Sequence, residues 1–145
     1  MKITQVSIFL ENRSGRIADV LAVLAGANIN IRALSLADTQ DFGILRLMVD
    51  RPDDALAALK AARYTAIPTA VLAVEVPDAP GGLHSILSAL SSHNLTVEYM
   101  YAFVGRKTER ALVVFRFDDP IVDDAIKALL AAGISILGPD AVKDI

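Results

Sequence analysis

Two polar turns, each followed directly by an apolar helical pattern, carry groups suited to binding a small charged molecule. The first is Asn12-Arg13-Ser14-Gly15 and the second is Asp78-Ala79-Pro80-Gly81-Gly82. The first N–H groups of a helix have no intrahelical acceptor and lie at its positive dipole end, where a carboxylate can dock. Glycine lets a ligand approach the backbone closely. The turns therefore predict a site for a zwitterion, with Asn12 or Asp78 orienting its ammonium group.

The same turn occurs twice because the chain repeats itself at an offset of 66 residues. Gly15-Arg16-Ile17 returns as Gly81-Gly82-Leu83, and Asn28 returns as Asn94. A repeat of this size predicts two copies of one small module, here 1–69 and 70–145. A cleft between two such modules is a common place for a small ligand.

Hydrophobic periodicity predicts the elements that position these turns. Each turn is followed by an apolar stripe at i, i+3, i+4 and i+7, which indicates a helix with one buried side. Alternating strands surround the helices, with hairpin turns predicted at 38–41 and 105–107, and the first copy ends in a strand through Ile67. The resulting βαββαβ order predicts an α+β, ferredoxin-like module with an antiparallel sheet and both helices on one face. The two stripes are Ile17, Val20, Leu21, Leu24 and Leu83, Ile86, Leu87, Leu90.

Composition narrows the functional classes. A net charge of −3 argues against a nucleic-acid partner and against an anionic membrane surface. The chain has no cysteine, which removes disulfides, thiolate zinc sites and cysteine nucleophiles. The hydrophobic content of 54% comes without a stretch long enough to span a membrane, so we expect burial between modules or in a homodimer. The amino terminus enters a strand pattern at once, which predicts a cytoplasmic protein.

Several candidate residues have a simpler structural interpretation. Asn28 and Asn94 precede the second strand of each copy, where asparagine accepts a left-handed backbone, or else each borders a ligand cleft. His84 lies beside the second turn and is a candidate ligand contact. His93 near a helix end is typical of a dipole partner. Glycine and asparagine in the two turns are also ordinary turn residues.

Catalysis and RNA binding are the rival functions. The two histidines point to opposite sides of a helix and cannot form one metal site, and the aspartates at 118–124 are explained by helix capping. No nucleophile context for a serine hydrolase is present. The strand at 110–117 resembles an RNA-recognition strand, but Leu112 and Val114 stand where stacking aromatics belong. We therefore expect no catalytic site, metal or cofactor.

The residues resemble the ACT domain, a regulatory module that binds amino acids. The resemblance rests on Glu11 to Ile17 with Ala27 to Ile31, and on Val76 to Leu83 with His93 to Val97, and it covers nearly the whole chain. It implies two modules side by side in a continuous antiparallel sheet of eight strands. Ligands would lie between the first turn of one module and the second strand, 94–100 or 28–34, of the other. The implied ligand-binding residues are Asn12, Arg13, Ser14, Gly15, Arg16, Ile17, Asn28, Asp78, Pro80, Gly81, Gly82, Leu83, His84 and Asn94.

The resemblance also implies a role. ACT modules are usually fused to the enzyme that they regulate, and these 145 residues have no room for one. A stand-alone amino-acid sensor is therefore expected, or alternatively a small enzyme or the regulatory subunit of an amino-acid biosynthetic enzyme. Ser14 replaces the proline often found before the glycine, so the two sites are expected to differ in affinity.

Overall fold

The computed structural model describes residues 1–38, 41–104 and 110–140 and divides into two compact units. One unit comprises Thr4–Ala70, and the other comprises Met1–Ile3 with Val71–Ile145. The predicted turn at 105–107 lies outside the described residues, as do Thr39 and Gln40 of the other predicted hairpin. No helix in the described part of the chain combines the length and the apolar composition that crossing a bilayer would require.

The elements follow the predicted βαββαβ order in both copies. The described residues form seven strands, one fewer than the predicted eight, because the strands expected through Ile67 and from Val71 are one strand, β4. The first copy contains β1 (Lys2–Glu11), α1 (Arg16–Gly26), β2 (Ile31–Asp38), β3 (Phe42–Val49), α2 (Pro52–Ala61) and β4 (Thr65–Pro77). The second contains α3 (Gly82–Ser91), β5 (Tyr99–Val104), β6 (Arg110–Arg116), α4 (Val122–Ala131) and β7 (Ile136–Leu137).

Strand pairing is antiparallel throughout. In the first unit β3 lies between β1 and β2, so Leu47 pairs with Val6 on one side and with Leu34 on the other. In the second unit β6 lies between β4 and β5, and Phe115 pairs with Leu72 and Met100. β7 pairs with β4. The central strands therefore carry the core residues of both units.

One side of each sheet packs against both helices of its unit, as predicted. In the first unit Val20 and Leu24 of α1 and Leu59 of α2 join β1 and β3 in one buried cluster. The second unit repeats this with α3, α4 and the stacked rings of Phe115 and Phe117. The predicted stripes are correct except at Ile17, which is 38% exposed at the start of its helix, whereas the equivalent Leu83 packs against the second cluster.

Residues with a left-handed backbone lie just beyond the ends of the helices. Beyond α1, Asn28 has a φ of 57°, its N–H donates to Ala25, and the N–H of Ile29 donates to Leu24. This pair of bonds is the Schellman motif, which satisfies the last carbonyls of a helix. Asn94 has a φ of 55° and the same pattern beyond α3. The prediction that both asparagines accept a left-handed backbone is confirmed.

Replacing Asn28 with valine should lower the free energy of unfolding by about 1–2 kcal/mol, because a β-branched residue is strained in the left-handed region. Asn28→Gly should stay close to the parent protein. Asn30→Val is the matched control, since Asn30 has no positive φ. Urea unfolding measures all three, and equal losses for the two valine variants would contradict the assignment.

Candidate ligand site at two glycine turns

The first glycine turn is held by its own backbone. The N–H of Arg13 donates to the Glu11 carbonyl (2.8 Å), and the N–H of Arg16 donates to the Arg13 carbonyl (3.3 Å). Gly15 precedes α1 with a φ of 85°, and its carbonyl accepts the first helical bond from Asp19 at 3.0 Å. Glycine adopts this conformation most readily, which explains the residue type at this position.

The second turn repeats this geometry. Ala79 donates to the Pro77 carbonyl (2.9 Å), and Gly82 donates to the Ala79 carbonyl (3.0 Å). Gly81 has a φ of 86°, and its carbonyl accepts from Ser85 at 3.0 Å. These three bonds of the first turn therefore have counterparts 66 residues later, and the repeat found in the sequence extends to backbone conformation.

Both helices begin with open N–H groups. Neither Gly15 nor Gly81 is accompanied by a side-chain cap. Among the described residues, no acceptor is present for the N–H groups of Ile17 and Ala18 or, in the second unit, of Leu83 and His84. These donors lie at the positive end of a helix dipole, where they suit a carboxylate.

The two turns differ in charge. In the first, one carboxylate oxygen of Glu11 lies 3.1 Å from Nε of Arg13 and 3.6 Å from a guanidinium nitrogen of Arg16. These side chains are 39–74% exposed, so each pair contributes little to stability. In the second turn the positions equivalent to these three residues hold Pro77, Ala79 and Gly82. The charge of the second turn comes from Asp78.

Two clefts flank the first turn. One, of about 350 Å³, is lined by Glu11, Asn12, Arg13, Asp41 and Phe42, and the Asn12 N–H donates to the Asp41 carbonyl there. The other measures about 360 Å³. Its lining residues are Phe9, Leu10, Glu11, Arg16, Ala62, Arg63, Tyr64 and Thr65.

The structure brings some predicted site residues together and separates others. Asn12 to Ile17 form one continuous turn, and Asp78 to His84 form the other. Asn28 and Asn94 lie beyond the opposite ends of the same helices, and the 11 residues of α1 amount to about 16 Å. Within one unit, neither asparagine adjoins its own turn. A site that combines a turn with the other unit's asparagine stays a prediction.

The position of His93 fits a helix-dipole partner, whereas His84 stays a predicted ligand contact. Nδ1 of His93 lies 3.0 Å from the Ala89 carbonyl, at the carboxyl end of α3. Nε2 of His84 lies 3.4 Å from the Ser88 hydroxyl, one helical turn onward. In the described part of the chain, no cluster of three or more acidic or histidine side chains forms a metal site.

Two charged groups away from the turns have shifted pKa values. Burial lowers the pKa of Arg116, but the hydrogen bond and charge of Asp119 and the charge of Glu98 outweigh this, so the net pKa is raised. The hydrogen bond and charge of Lys2 hold the pKa of the Asp123 carboxyl below its usual value. Arg116 thereby joins the end of β6 to the segment that begins α4.

A family model described as an ACT domain pair matches residues 1–138. The chain belongs to this family. The match confirms the resemblance drawn from the two glycine turns and assigns nearly the whole chain to the pair. Comparison with curated proteins gave no match.

Solved structures agree with this assignment. Protein BT0572 from Bacteroides thetaiotaomicron is 39% identical with a TM-score of 0.92, over 100% of this chain and 98% of that one. The ligand-free regulatory subunit of aspartate kinase from Thermus thermophilus is 21% identical (TM-score 0.61; 89% and 91% covered). Clostridium acetobutylicum aspartate kinase is 18% identical (TM-score 0.53; 90% and 33%). The two kinase structures share the fold.

Sequence reasoning left out three residues that the ACT domain pair places beside its first turn. The sequence predicts Glu11 only as part of the turn, whereas its carboxylate pairs with Arg13 and Arg16. Arg63 and Tyr64 reach the same cleft from the end of α2, which is distant in sequence. A residue-by-residue comparison of the two copies would have flagged Arg63, because Gly133 occupies the equivalent left-handed position.

Gly82→Ala should destabilise the protein by about 1–3 kcal/mol, because its added Cβ would clash with the Pro77 carbonyl oxygen. Gly26→Ala is the matched control. Gly26 is also helical, a Cβ there meets nothing within 4 Å, and alanine should stabilise the helix by about 0.5–1 kcal/mol. Thermal unfolding of both variants tests the close approach of Gly82 to the Pro77 carbonyl. A Gly82→Ala protein with the melting temperature of the parent would refute it.

Proposed function

We propose that this ACT domain pair is a sensor that binds a free amino acid at its glycine turns and regulates a partner protein. The observation that carries the proposal is the recurrence of one uncapped helix start, after a left-handed glycine, in both units. A single open helix terminus is an ordinary feature of proteins. Two with matching hydrogen bonds support the proposal that the duplicated backbone forms the binding surface.

The chemistry of the turns favours a zwitterion. The open N–H groups suit a carboxylate, and the carboxylates of Glu11 and Asp78 lie in the two turns, where each suits an ammonium group. A phosphate site would be expected to add a lysine to a glycine-rich loop, and neither turn contains a lysine. An amino acid satisfies both kinds of group at once.

Relatives supply the regulatory part of the proposal. Two of the similar structures are aspartate kinase or its regulatory subunit, and the match covers only 33% of the Clostridium kinase chain. By analogy, we propose that this chain responds to its amino acid by changing its contacts with an enzyme. A ligand that binds one arrangement of the protein more tightly shifts the population toward it.

The rival RNA-binding function is disfavoured by burial. Leu112 and Val114 would have to be replaced by exposed aromatic residues to stack bases, and they are 8% and 1% exposed. The aromatic residues of that strand region, Phe115 and Phe117, are also buried. The homodimer, the cytoplasmic location, the side-by-side arrangement of the modules and the absence of catalysis stay predictions.

A thermal-shift screen with the twenty amino acids tests the proposal. A ligand at about 100 times its Kd should raise the free energy of unfolding by about 2.7 kcal/mol and increase the melting temperature. If no amino acid changes the melting temperature, the proposed function is wrong.

Gly15→Asn and Gly81→Asn locate the site. Asparagine tolerates the left-handed backbone, and its side chain would fill the open space beside the turn that a ligand has to enter. Each variant should therefore lose the shift at its own turn. Gly133→Asn is the matched control, since Gly133 is left-handed with free space around it but begins no helix. A ligand response that survives both turn variants would contradict binding at the turns.

A further inference from the structure

The 360 Å³ cleft of the first unit lies between two turns of the fold. One wall is the end of β1 and the start of α1, with Phe9, Glu11 and Arg16. The opposite wall is the connection from α2 to β4, with Arg63 and Tyr64. The residues that line the cleft thus carry two guanidinium groups, one carboxylate and two aromatic rings, a set that suits a zwitterion with an apolar body.

The carboxylate of Glu11, which lines this cleft, can accept a further hydrogen bond. Only one oxygen of Glu11, Oε2, is engaged by Arg13 and Arg16. Among the described residues its other oxygen has no partner. An ammonium group can therefore bind Glu11 without displacing either arginine.

Arg63 occupies a position that folding alone would give to glycine. Its φ is 64°, and its N–H closes the Schellman motif of α2 by donating to the Lys60 carbonyl. In the second unit Gly133 fills this place with a φ of 73° and the same bond, to Leu130. The Arg63 side chain makes no hydrogen bond or ion pair with any described residue, so structure gives no reason for an arginine here.

The second unit provides a comparison within the same chain. Its residues equivalent to Glu11, Arg16 and Arg63 are Pro77, Gly82 and Gly133. All three charged groups of the cleft are thus replaced by residues without charge, while the backbone of the turn is kept. Because the three charged side chains occur together in the first unit and are all replaced in the second, we infer that they serve one shared function.

We propose that this cleft binds the amino acid in the first unit, with the ligand carboxylate on Arg16 and Arg63 and its ammonium on Glu11. Phe9 and Tyr64 then contact the side chain, which favours an apolar amino acid. This assignment rests on the proposed function and deepens it by naming the cleft beside the turn and the class of ligand. In the first unit it gives the ligand carboxylate to the two guanidinium groups rather than to the open N–H groups of the helix. It also makes the two units different in specificity, because the second lacks the charges.

Arg63→Gly tests the proposal without straining the fold, since glycine is the residue of the second copy. Isothermal titration with L-phenylalanine and L-leucine should show affinity reduced about tenfold or more, the effect of losing a charge-assisted hydrogen bond. Lys60→Gln is the matched control: it removes one positive charge from the last turn of the same helix, outside the cleft. Its affinity should equal that of the parent protein.

Glu11→Gln provides a readout that a structural role would not give. It should weaken L-phenylalanine but strengthen 3-phenylpropionate, which has the carboxylate and lacks the ammonium group. Equal changes for both compounds would overturn the role of Glu11. Parent-like binding by Arg63→Gly would overturn the cleft assignment and leave the proposed function standing, whereas failure of every amino acid to bind would overturn both.

Discussion

The start of a helix after a left-handed glycine is the constraint on which the binding surface depends. A serine or aspartate cap would satisfy one N–H group and stabilise the helix by about 1 kcal/mol, but it requires an extended backbone. Gly15 and Gly81 have φ values of 85° and 86°, so this kind of cap is excluded at both turns. The stability of α1 and α3 must then come from burial, which Val20 and Leu24, and Ile86 and Leu90, supply.

The two glycine turns share one backbone conformation but differ in their side chains. Gly82 lies so close to the Pro77 carbonyl that no side chain fits there, whereas the equivalent Arg16 carries one and the bond that closes its turn is longer, at 3.3 Å. The same turn thus carries Glu11 and Arg16 in the first unit and Pro77 and Gly82 in the second. Two binding surfaces of different specificity require no change in fold under this arrangement.

The sequence predicted local features well because they depend on neighbouring residues. The glycine turns, the helix stripes and the left-handed asparagines all follow from residue type and spacing over a few positions. The join of two strands into β4 was missed, because the boundary between the two copies was placed at 69/70, inside a strand that runs without a break over Thr65–Pro77. The cleft was also missed, because Arg16 and Arg63 are far apart in the sequence. Only the folded chain brings them to opposite walls of one cleft.

Rigid backbone at the first turn limits how a ligand can act on this protein. The turn is fixed by hydrogen bonds from Arg13 and Arg16, and α1 is fixed at its other end by the Schellman motif and by Arg51, which donates to the Ala27 and Asn28 carbonyls. Refolding of the turn would break the bonds from Arg13 and Arg16 and the first helical bond from Asp19. The exposed side chains, by contrast, exchange partners at little cost in free energy. A response to ligand should therefore begin in the exposed side chains beside the turn, while the backbone of the turn stays in place.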